Sequence, residues 1–73
     1  MNNRVKEMRA ARSLSQAALG DLLGVSRQTV NAIENGRYDP SLPLAFKLAS
    51  VFEEPIEALF IPDDAEVAHA SPS

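Results

Sequence analysis

Apolar residues recur three and four positions apart over most of the first 60 residues, and strict alternation is almost absent. That spacing places the apolar side chains on one face of an α-helix, whereas alternation would favour a β-strand. Ala and Leu, which favour helices, dominate this stretch, and β-branched residues are sparse. The pattern therefore predicts an all-α protein made of short helices.

Five short helices are predicted from the apolar positions and from the residues that can cap a helix. Ser15, Ser26 and Ser41 are suited to N-caps, because a serine hydroxyl accepts a hydrogen bond from an amide of the first turn. Gly24 is suited to end the second helix, since glycine readily adopts a left-handed φ. The predicted ranges are about 3–13, 16–23, 27–35, 42–52 and 55–60. The predicted inward-facing side chains are Val5, Met8, Arg12, Ala18, Leu19, Leu22, Leu23, Val30, Ile33, Leu42, Ala45, Leu48, Ala49, Phe52, Ile56, Leu59 and Phe60.

Charge is distributed unevenly along the 73 residues. Residues 1–50 contain all seven Lys and Arg residues and four acids, a net charge of +3, whereas residues 51–73 contain six acids and no base, a net charge of −6. The overall charge of −3 would by itself argue against a nucleic-acid partner. The uneven distribution instead indicates a mildly basic body over residues 1–50 and an acidic end over residues 51–73. The predicted domain covers residues 1–62, and residues 63–73 are predicted to be an acidic, disordered tail.

The composition argues against several classes of protein. There is no cysteine and a single histidine, His69, so one chain cannot build a Cys or His metal cluster or a Ser–His relay. No glycine-rich phosphate loop or catalytic pair is recognisable, so an enzyme is not expected. No apolar run is long enough to cross a membrane, and no secretory signal is visible. The expectation is a cytoplasmic protein without a metal, a cofactor or a small-molecule ligand.

The second and third predicted helices are joined by a very short turn around Gly24 and Val25. Two short helices with a tight, glycine-containing turn are typical of the helix-turn-helix, whose second helix enters the DNA major groove. The arrangement needs a small residue where the helices cross, and Gly20, Ala17 or Ala18 can supply it. Val25 is expected to fill the corner between the two helices.

The start of the third predicted helix carries polar side chains that are suited to reading base edges. Arginine can bond guanine bidentately, and glutamine or asparagine can do the same with adenine. Arg27, Gln28 and Asn31 are therefore the candidate base readers. A polar outer face is also what any surface helix shows, but the serine caps, the glycine turn and the uneven distribution of charge together favour DNA binding.

The stretch from Leu14 to Gly36, with Gly-Val-Ser-Arg-Gln-Thr followed by Ile-Glu-Asn-Gly, resembles the Cro and phage-repressor family of helix-turn-helix regulators, also called the xenobiotic-response-element family. Pro40-Ser41-Leu42 and Leu48-Ala49 continue the resemblance, which covers about residues 3–60. It implies a compact, five-helix, lambda-repressor-like domain that binds double-stranded operator DNA, usually as a dimer.

The sequence departs from this family at two places. Position 20 is usually alanine, so Gly20 is expected to weaken the second helix by about 1 kcal/mol. Glu53 and Glu54 stand where relatives often have a helix-ending glycine and an apolar residue. The junction between the fourth and fifth helices is therefore where the resemblance is weakest.

The resemblance also implies roles for individual residues. Gln16 would contact the DNA backbone and brace the recognition helix, and Arg9 would pair with Glu34 to tie the first helix to the third. Ala32 stands where some relatives carry a longer reader, so its base contact would be weak or limited to a thymine methyl group. The other candidates for backbone contact are Ser26, Thr29, Asn35, Arg37 and Tyr38. Two alternatives stay open, Gln16 as a solvated first-turn residue and Tyr38 as a partly buried loop anchor.

The last apolar segment carries more apolar surface than a terminal half-turn can hide. Part of it is expected to pack on the first and fourth helices, and Leu59, Phe60 and Ile61 are also predicted to form a twofold seam with a second chain. The predicted function is a sequence-specific DNA-binding transcriptional regulator, a small homodimeric repressor that reads the major groove with its third helix. The alternative is an antitoxin-like or adaptor protein whose acidic end binds a protein partner.

Overall fold

Serine caps define the starts of three helices in the computed structural model, which describes residues 2–61. The hydroxyls of Ser15, Ser26 and Ser41 each accept a hydrogen bond from the backbone amide three residues on, at 3.0, 3.1 and 3.3 Å. The helices are α1 (Val5–Ala11), α2 (Gln16–Leu23), α3 (Arg27–Glu34), α4 (Leu42–Phe52) and α5 (Ile56–Leu59). The predicted acidic tail over residues 63–73 lies outside the described residues.

The predicted five-helix architecture is confirmed, with one addition that the hydrophobic pattern did not indicate. β1 (Asn2–Asn3) pairs antiparallel with β2 (Phe60–Ile61), and the Arg4 amide donates to the Leu59 carbonyl at 2.8 Å. The first helix therefore begins at Val5, two residues later than predicted, because the preceding residues are extended. A pairing of two residues is too short to show an alternating pattern in the sequence.

The core is built from side chains of all five helices and of β2. Its buried apolar members are Val5, Met8, Leu19, Leu23, Val30, Ile33, Leu44, Ala45, Leu48, Phe52, Leu59 and Phe60. Among the described residues, no buried side-chain nitrogen or oxygen lacks a hydrogen-bond partner. Within residues 2–61 no helix is long and apolar enough to span a membrane, and the longest, α4, has 11 residues.

Three inward-facing predictions are wrong. Leu22 and Leu42 are 58% and 63% exposed. Leu22 lies about 100° around α2 from the middle of its buried residues, which are Leu19, Gly20 and Leu23, and Leu42 lies about 120° around α4 from the buried Leu48. Arg12 is also exposed, and its guanidinium donates to the carbonyl of Phe52 at 2.6 Å while lying 5.1 Å from the centre of the Phe52 ring. Arg12 therefore lies on the surface and supplies a hydrogen-bond donor to the carbonyl of the last residue of α4.

The junction between α4 and α5 differs from a glycine-ended helix. Glu53 ends α4 with a φ of 55°, in the left-handed region that glycine adopts more readily. The amides of Glu53 and Glu54 donate to the carbonyls of Ser50 and Ala49, at 3.3 and 3.0 Å. Backbone amides thus bond two of the last carbonyl groups of α4, although no glycine is present at the end of this helix.

Candidate nucleic-acid interface

The turn between α2 and α3 has the tight geometry that the glycine predicted. Gly24 has a φ of 77°, and the Val25 amide donates to the carbonyl of Gly20 at 2.9 Å. A Cβ atom at position 20 would lie 2.7 Å from the carbonyl oxygen of Val25. Glycine at position 20 therefore lets the turn lie directly against α2, and the start of α3 follows at once.

The two faces of α3 are sharply different. Val30 and Ile33 are 0% and 1% exposed and pack into the core, whereas Arg27, Gln28 and Asn31 are exposed. The core therefore holds one side of the helix and leaves the three predicted base readers facing solvent.

Two hydrogen bonds join side chains on α3 to the residues that flank it, Asn35 and Ser26. Asn35 Nδ2 donates to Asn31 Oδ1 at 3.0 Å, which uses one of the two lone pairs of the Asn31 oxygen and leaves its amide N–H groups as donors. The hydroxyls of Ser26 and Thr29 lie 3.1 Å apart and share a hydrogen bond.

A cluster of polar side chains joins α1, α2 and α3. Arg9 Nε and Nη2 donate to the two carboxylate oxygens of Glu34 at 2.6 and 3.2 Å, and Gln16 Nε2 donates to Glu34 Oε1 at 3.0 Å. The carboxylate side chain is only 2% exposed, and Arg9 Nη1 also donates to the carbonyl of Leu14 at 2.8 Å. The expected Arg9–Glu34 pair is present, and Gln16 is half-buried and hydrogen-bonded rather than simply solvated.

The ion pair also affects the titration of Arg9. Hydrogen bonding to Glu34 raises the pKa of Arg9 above its ordinary value, partly opposed by the loss of water around the guanidinium. Stability that depends on the charge of Arg9 is therefore present below the ordinary pKa and is lost only as the pH rises through the raised pKa.

The loop after α3 folds back onto the end of that helix. Gly36 has a φ of 73° and its amide donates to the carbonyl of Ile33 at 3.0 Å. The amides of Arg37 and Tyr38 both donate to the carbonyl of Ala32, at 2.9 and 3.3 Å. Both residues have exposed side chains, and Tyr38 is 45% exposed. The structure thus holds the two predicted loop residues against α3.

One contribution to the position of α3 was missed by sequence reasoning. Asn3 Nδ2 donates to the carbonyl of Ile33 at 2.7 Å, and Asn3 Oδ1 accepts from the Val5 amide at 3.1 Å. The side chain therefore links β1 and α1 to the C-terminal end of α3. An asparagine near the start of a chain carries no sequence signal for such a contact.

The three residues predicted for the dimer seam have unequal exposure. Leu59 and Phe60 are 0% and 7% exposed and belong to the core, whereas Ile61 is 47% exposed. An apolar groove of about 470 Å³ lies beside them. Its lining residues are Asp39, Pro40, Leu42, Ala45, Ile56, Glu57 and Phe60. Within residues 2–61 no group of three or more His, Asp or Glu side chains is placed to hold a metal ion.

The short α2, the left-handed glycine turn and the half-exposed α3 together define a helix-turn-helix DNA-binding fold. A model of the HTH_3 helix-turn-helix family matches residues 5–59, and the chain belongs to this family. The chain is therefore a transcriptional regulator with a DNA-binding fold.

Comparisons with individual proteins agree with this family. An HTH-type transcriptional regulator of Methanocaldococcus jannaschii is 54% identical over 66 residues, which cover 90% of this chain and 100% of the relative. The HTH-type transcriptional regulator YgzD of Bacillus subtilis is 52% identical over 60 residues, 82% of this chain and 91% of the relative. The crystal structure of the restriction-modification controller protein C.AhdI from Aeromonas hydrophila superposes with a TM-score of 0.71, at 37% identity, over 78% of this chain and 86% of that one.

Proposed function

We propose that this regulator binds a specific operator sequence as a small homodimeric repressor and reads the major groove with α3. The observation that carries the proposal is the two-sided character of α3. Val30 and Ile33 anchor it in the core, and Arg27, Gln28 and Asn31 project from it into solvent. The major groove of B-DNA admits an α-helix, and its base edges present distinct patterns of donors and acceptors.

The three proposed base readers differ in what they can recognise. Arg27 and Gln28 have no side-chain hydrogen bond to other described residues, so both are free to bond a base. Arg27 suits the two acceptors of guanine, and Gln28 suits the donor and acceptor of adenine. Asn31 offers its amide N–H groups as donors and the second lone pair of its oxygen as an acceptor, while Asn35 bonds the first.

Affinity in this proposal comes mainly from contacts with phosphates, which fix the register of the protein on the duplex. The residues proposed for these contacts are Gln16, Ser26, Thr29, Asn35, Arg37 and Tyr38. Hydrogen bonds tie each of them to α3 or to the residue that caps it.

The charges of α3 support a phosphate-rich partner. Glu34 is the one acid within α3, and its carboxylate is buried and paired with Arg9. A carboxylate on the outer face would repel the DNA backbone, but the outer face of α3 carries Arg27 and neutral polar side chains.

The homodimer is supported by apolar surface at the other end of the chain. Ile61, Leu42 and Phe46 are 47%, 63% and 57% exposed, and the apolar groove beside α5 includes Leu42. In this proposal Ile61 makes the contact across the seam, while Leu59 and Phe60 support it from the core. Two α3 helices related by a twofold axis would read half-sites about one DNA turn apart.

Selection of bound duplexes from a random-sequence library tests the proposal. The full chain should enrich one motif with twofold symmetry and half-sites about 10 base pairs apart, as two related recognition helices require. Enrichment of a single asymmetric half-site would contradict the dimer. Recovery of duplexes with no common motif would contradict sequence-specific binding.

A further inference from the structure

The last described residues lie beside the loop that follows α3. In the short sheet, Asn3 pairs with Phe60, one residue before the end of β2. The side-chain amide of Asn3 donates to the carbonyl oxygen of Ile33 at 2.7 Å, and the backbone amide of Gly36 donates to the same oxygen at 3.0 Å. Two hydrogen bonds to one oxygen therefore place the end of β2 next to the loop over residues 35–38.

The five residues that follow β2 carry three carboxylates. Residues 62–66 read Pro-Asp-Asp-Ala-Glu, and they lie outside the described residues. A peptide chain advances at most about 3.6 Å per residue, so covalent geometry alone keeps the backbone of all five within about 18 Å of Ile61. These residues, the acidic segment, are therefore tethered within reach of the loop after α3.

Arg37 is the only basic residue of this loop. Arg4 and Arg9 form ion pairs with Glu7 and Glu34, whereas the exposed side chain of Arg37 has no ion pair within residues 2–61. A guanidinium binds carboxylates and phosphates with the same planar, bidentate geometry. Arg37 can therefore hold a DNA phosphate or a carboxylate of its own chain, but the same N–H groups cannot hold both at once.

We infer that Asp63, Asp64 and Glu66 compete with DNA phosphates for Arg37 and thereby lower the affinity of the chain for DNA of any sequence. The inference rests on the proposed function, since it requires Arg37 to contact a phosphate. A short tether gives the carboxylates a high effective concentration at the loop, so the weak attraction of an exposed ion pair is enough for them to compete. Neutralising the acidic segment should therefore strengthen DNA binding, and most strongly at low salt, because ions screen exposed charges.

A second pair of acids provides a matched control. Glu53 and Glu54 follow Phe52 at the end of α4, and the Phe52 carbonyl accepts from Arg12 at the C-terminal end of α1. Asn3, which is paired with β2, precedes the N-terminal end of the same helix. The control acids therefore lie near the opposite end of α1 from the acidic segment's point of attachment. Replacing two acids by amides at either place changes the net charge of the chain by the same amount.

DNA binding by the full chain tests the inference, with fluorescence anisotropy on the selected and on a scrambled duplex. The double variant Asp63→Asn/Asp64→Asn should tighten binding to both duplexes about two- to fivefold at about 50 mM salt, and the gain should fall below about 1.5-fold at about 300 mM. The control Glu53→Gln/Glu54→Gln should change the Kd less than about 1.5-fold at either salt concentration. Equal gains in the two double variants would make the net charge responsible and would overturn the inference. If Asp63→Asn/Asp64→Asn gives no gain while the selected duplex is still preferred, the inference is overturned and the proposed function stands.

Combination with Arg37→Ala locates the competition at this loop. The gain from Asp63→Asn/Asp64→Asn should fall below about 1.5-fold in the Arg37→Ala background, whereas Arg4→Ala, which removes the partner of Glu7, should leave the gain unchanged. Circular dichroism establishes that each variant is folded. A full gain in folded Arg37→Ala places the action of the acids elsewhere and overturns the inference. If no variant binds either duplex, the proposed function is refuted and this inference with it.

Discussion

The guanidinium of Arg9 in α1 lies 2.6 Å from the carboxylate of Glu34 at the end of α3, and the two side chains are only 15% and 2% exposed. Glu34 also accepts from Gln16 at the start of α2. The Glu34 carboxylate therefore connects three helices. It helps to fix the position of α3 and also that of the Gln16 side chain, which is proposed to contact the DNA backbone. A contact shielded from water in this way is expected to matter for stability more than an ion pair on the surface.

Replacement of Glu34 by alanine is expected to lower the free energy of unfolding by about 2–4 kcal/mol. The variant leaves Arg9 largely buried without its counter-charge, and the partial exposure of Arg9 keeps the loss below that of a fully buried pair. Urea denaturation measures the change. The matched control is Glu7→Ala, which breaks the exposed Arg4–Glu7 pair at 2.7 Å and should cost no more than about 1 kcal/mol. Equal losses in the two variants would contradict a structural role for the Arg9–Glu34 pair.

Gly20 is expected to be intolerant of a larger side chain. A Cβ atom there would lie 2.7 Å from the Val25 carbonyl oxygen, so the turn must move to admit it. Gly20→Val should lower the free energy of unfolding by about 1–3 kcal/mol, as overpacking does, and Gly20→Ala should gain less than its helix propensity alone predicts. Ala17→Val, on the exposed side of α2, controls for propensity. Thermal denaturation measures both valine variants. If Gly20→Val and Ala17→Val lower the free energy of unfolding equally, the turn moves freely to admit the side chain and the prediction is wrong.

Arg37 is expected to supply affinity without sequence preference. Its backbone is held by the carbonyl of Ala32, and its side chain is exposed beside α3. Arg37→Ala should weaken binding to the selected and scrambled duplexes by a similar factor, and it should reduce the slope of log Kd against log salt by about 1. Arg4→Ala is the control, since Arg4 is bonded to Glu7 on α1. A loss confined to the selected duplex would instead make Arg37 a base reader.

Ile61 is the proposed seam residue whose replacement can test the dimer without damaging the core. Ile61 is 47% exposed, whereas Leu59 and Phe60 are buried and their replacement would unfold the chain. Ile61→Glu should convert a dimer to a folded monomer, because it places a charge in an apolar contact. Sedimentation at tens of micromolar measures the change, and Leu22→Glu, at another exposed apolar position, should remain dimeric. A monomeric wild-type chain under these conditions, on and off DNA, would refute the dimer.

Much of the fold was predictable because its signals are local. A serine hydroxyl caps the helix that follows it, and the glycine at position 24 readily adopts the left-handed φ of the turn, so both features are visible in neighbouring residues. The pairing of β1 with β2 was not predictable, because it joins two-residue segments from opposite ends of the described chain. The exposure of Leu22 and Leu42 was not predictable either, since periodicity gives a broad apolar stripe and the packing of other helices decides its centre.

The candidate interface also combines features that neighbouring residues predict with features that depend on contacts between distant parts of the chain. The spacing of Arg27, Gln28 and Asn31 on one helix predicted their shared solvent-facing side, which the structure bears out. The hydrogen bond from Asn35 to Asn31 and the contact of Gln16 with Glu34 depend on side-chain conformations that no spacing specifies. A groove of about 430 Å³ that is lined by Gln28, Ala32 and Tyr38, among others, depends on the path of the loop after α3. Two hydrogen bonds, from the backbone amides of Arg37 and Tyr38 to the carbonyl of Ala32, determine that path.

The most direct measurement for the central claim compares the wild-type chain with Arg27→Ala on the selected and the scrambled duplex. The ratio of the two Kd values isolates base reading from attraction to phosphates. If Arg27 bonds a base from α3, the variant should lose about 1–3 kcal/mol on the selected duplex, relax the preference at one base pair in each half-site, and lose far less on the scrambled duplex. Equal losses on the two duplexes would contradict sequence recognition by α3.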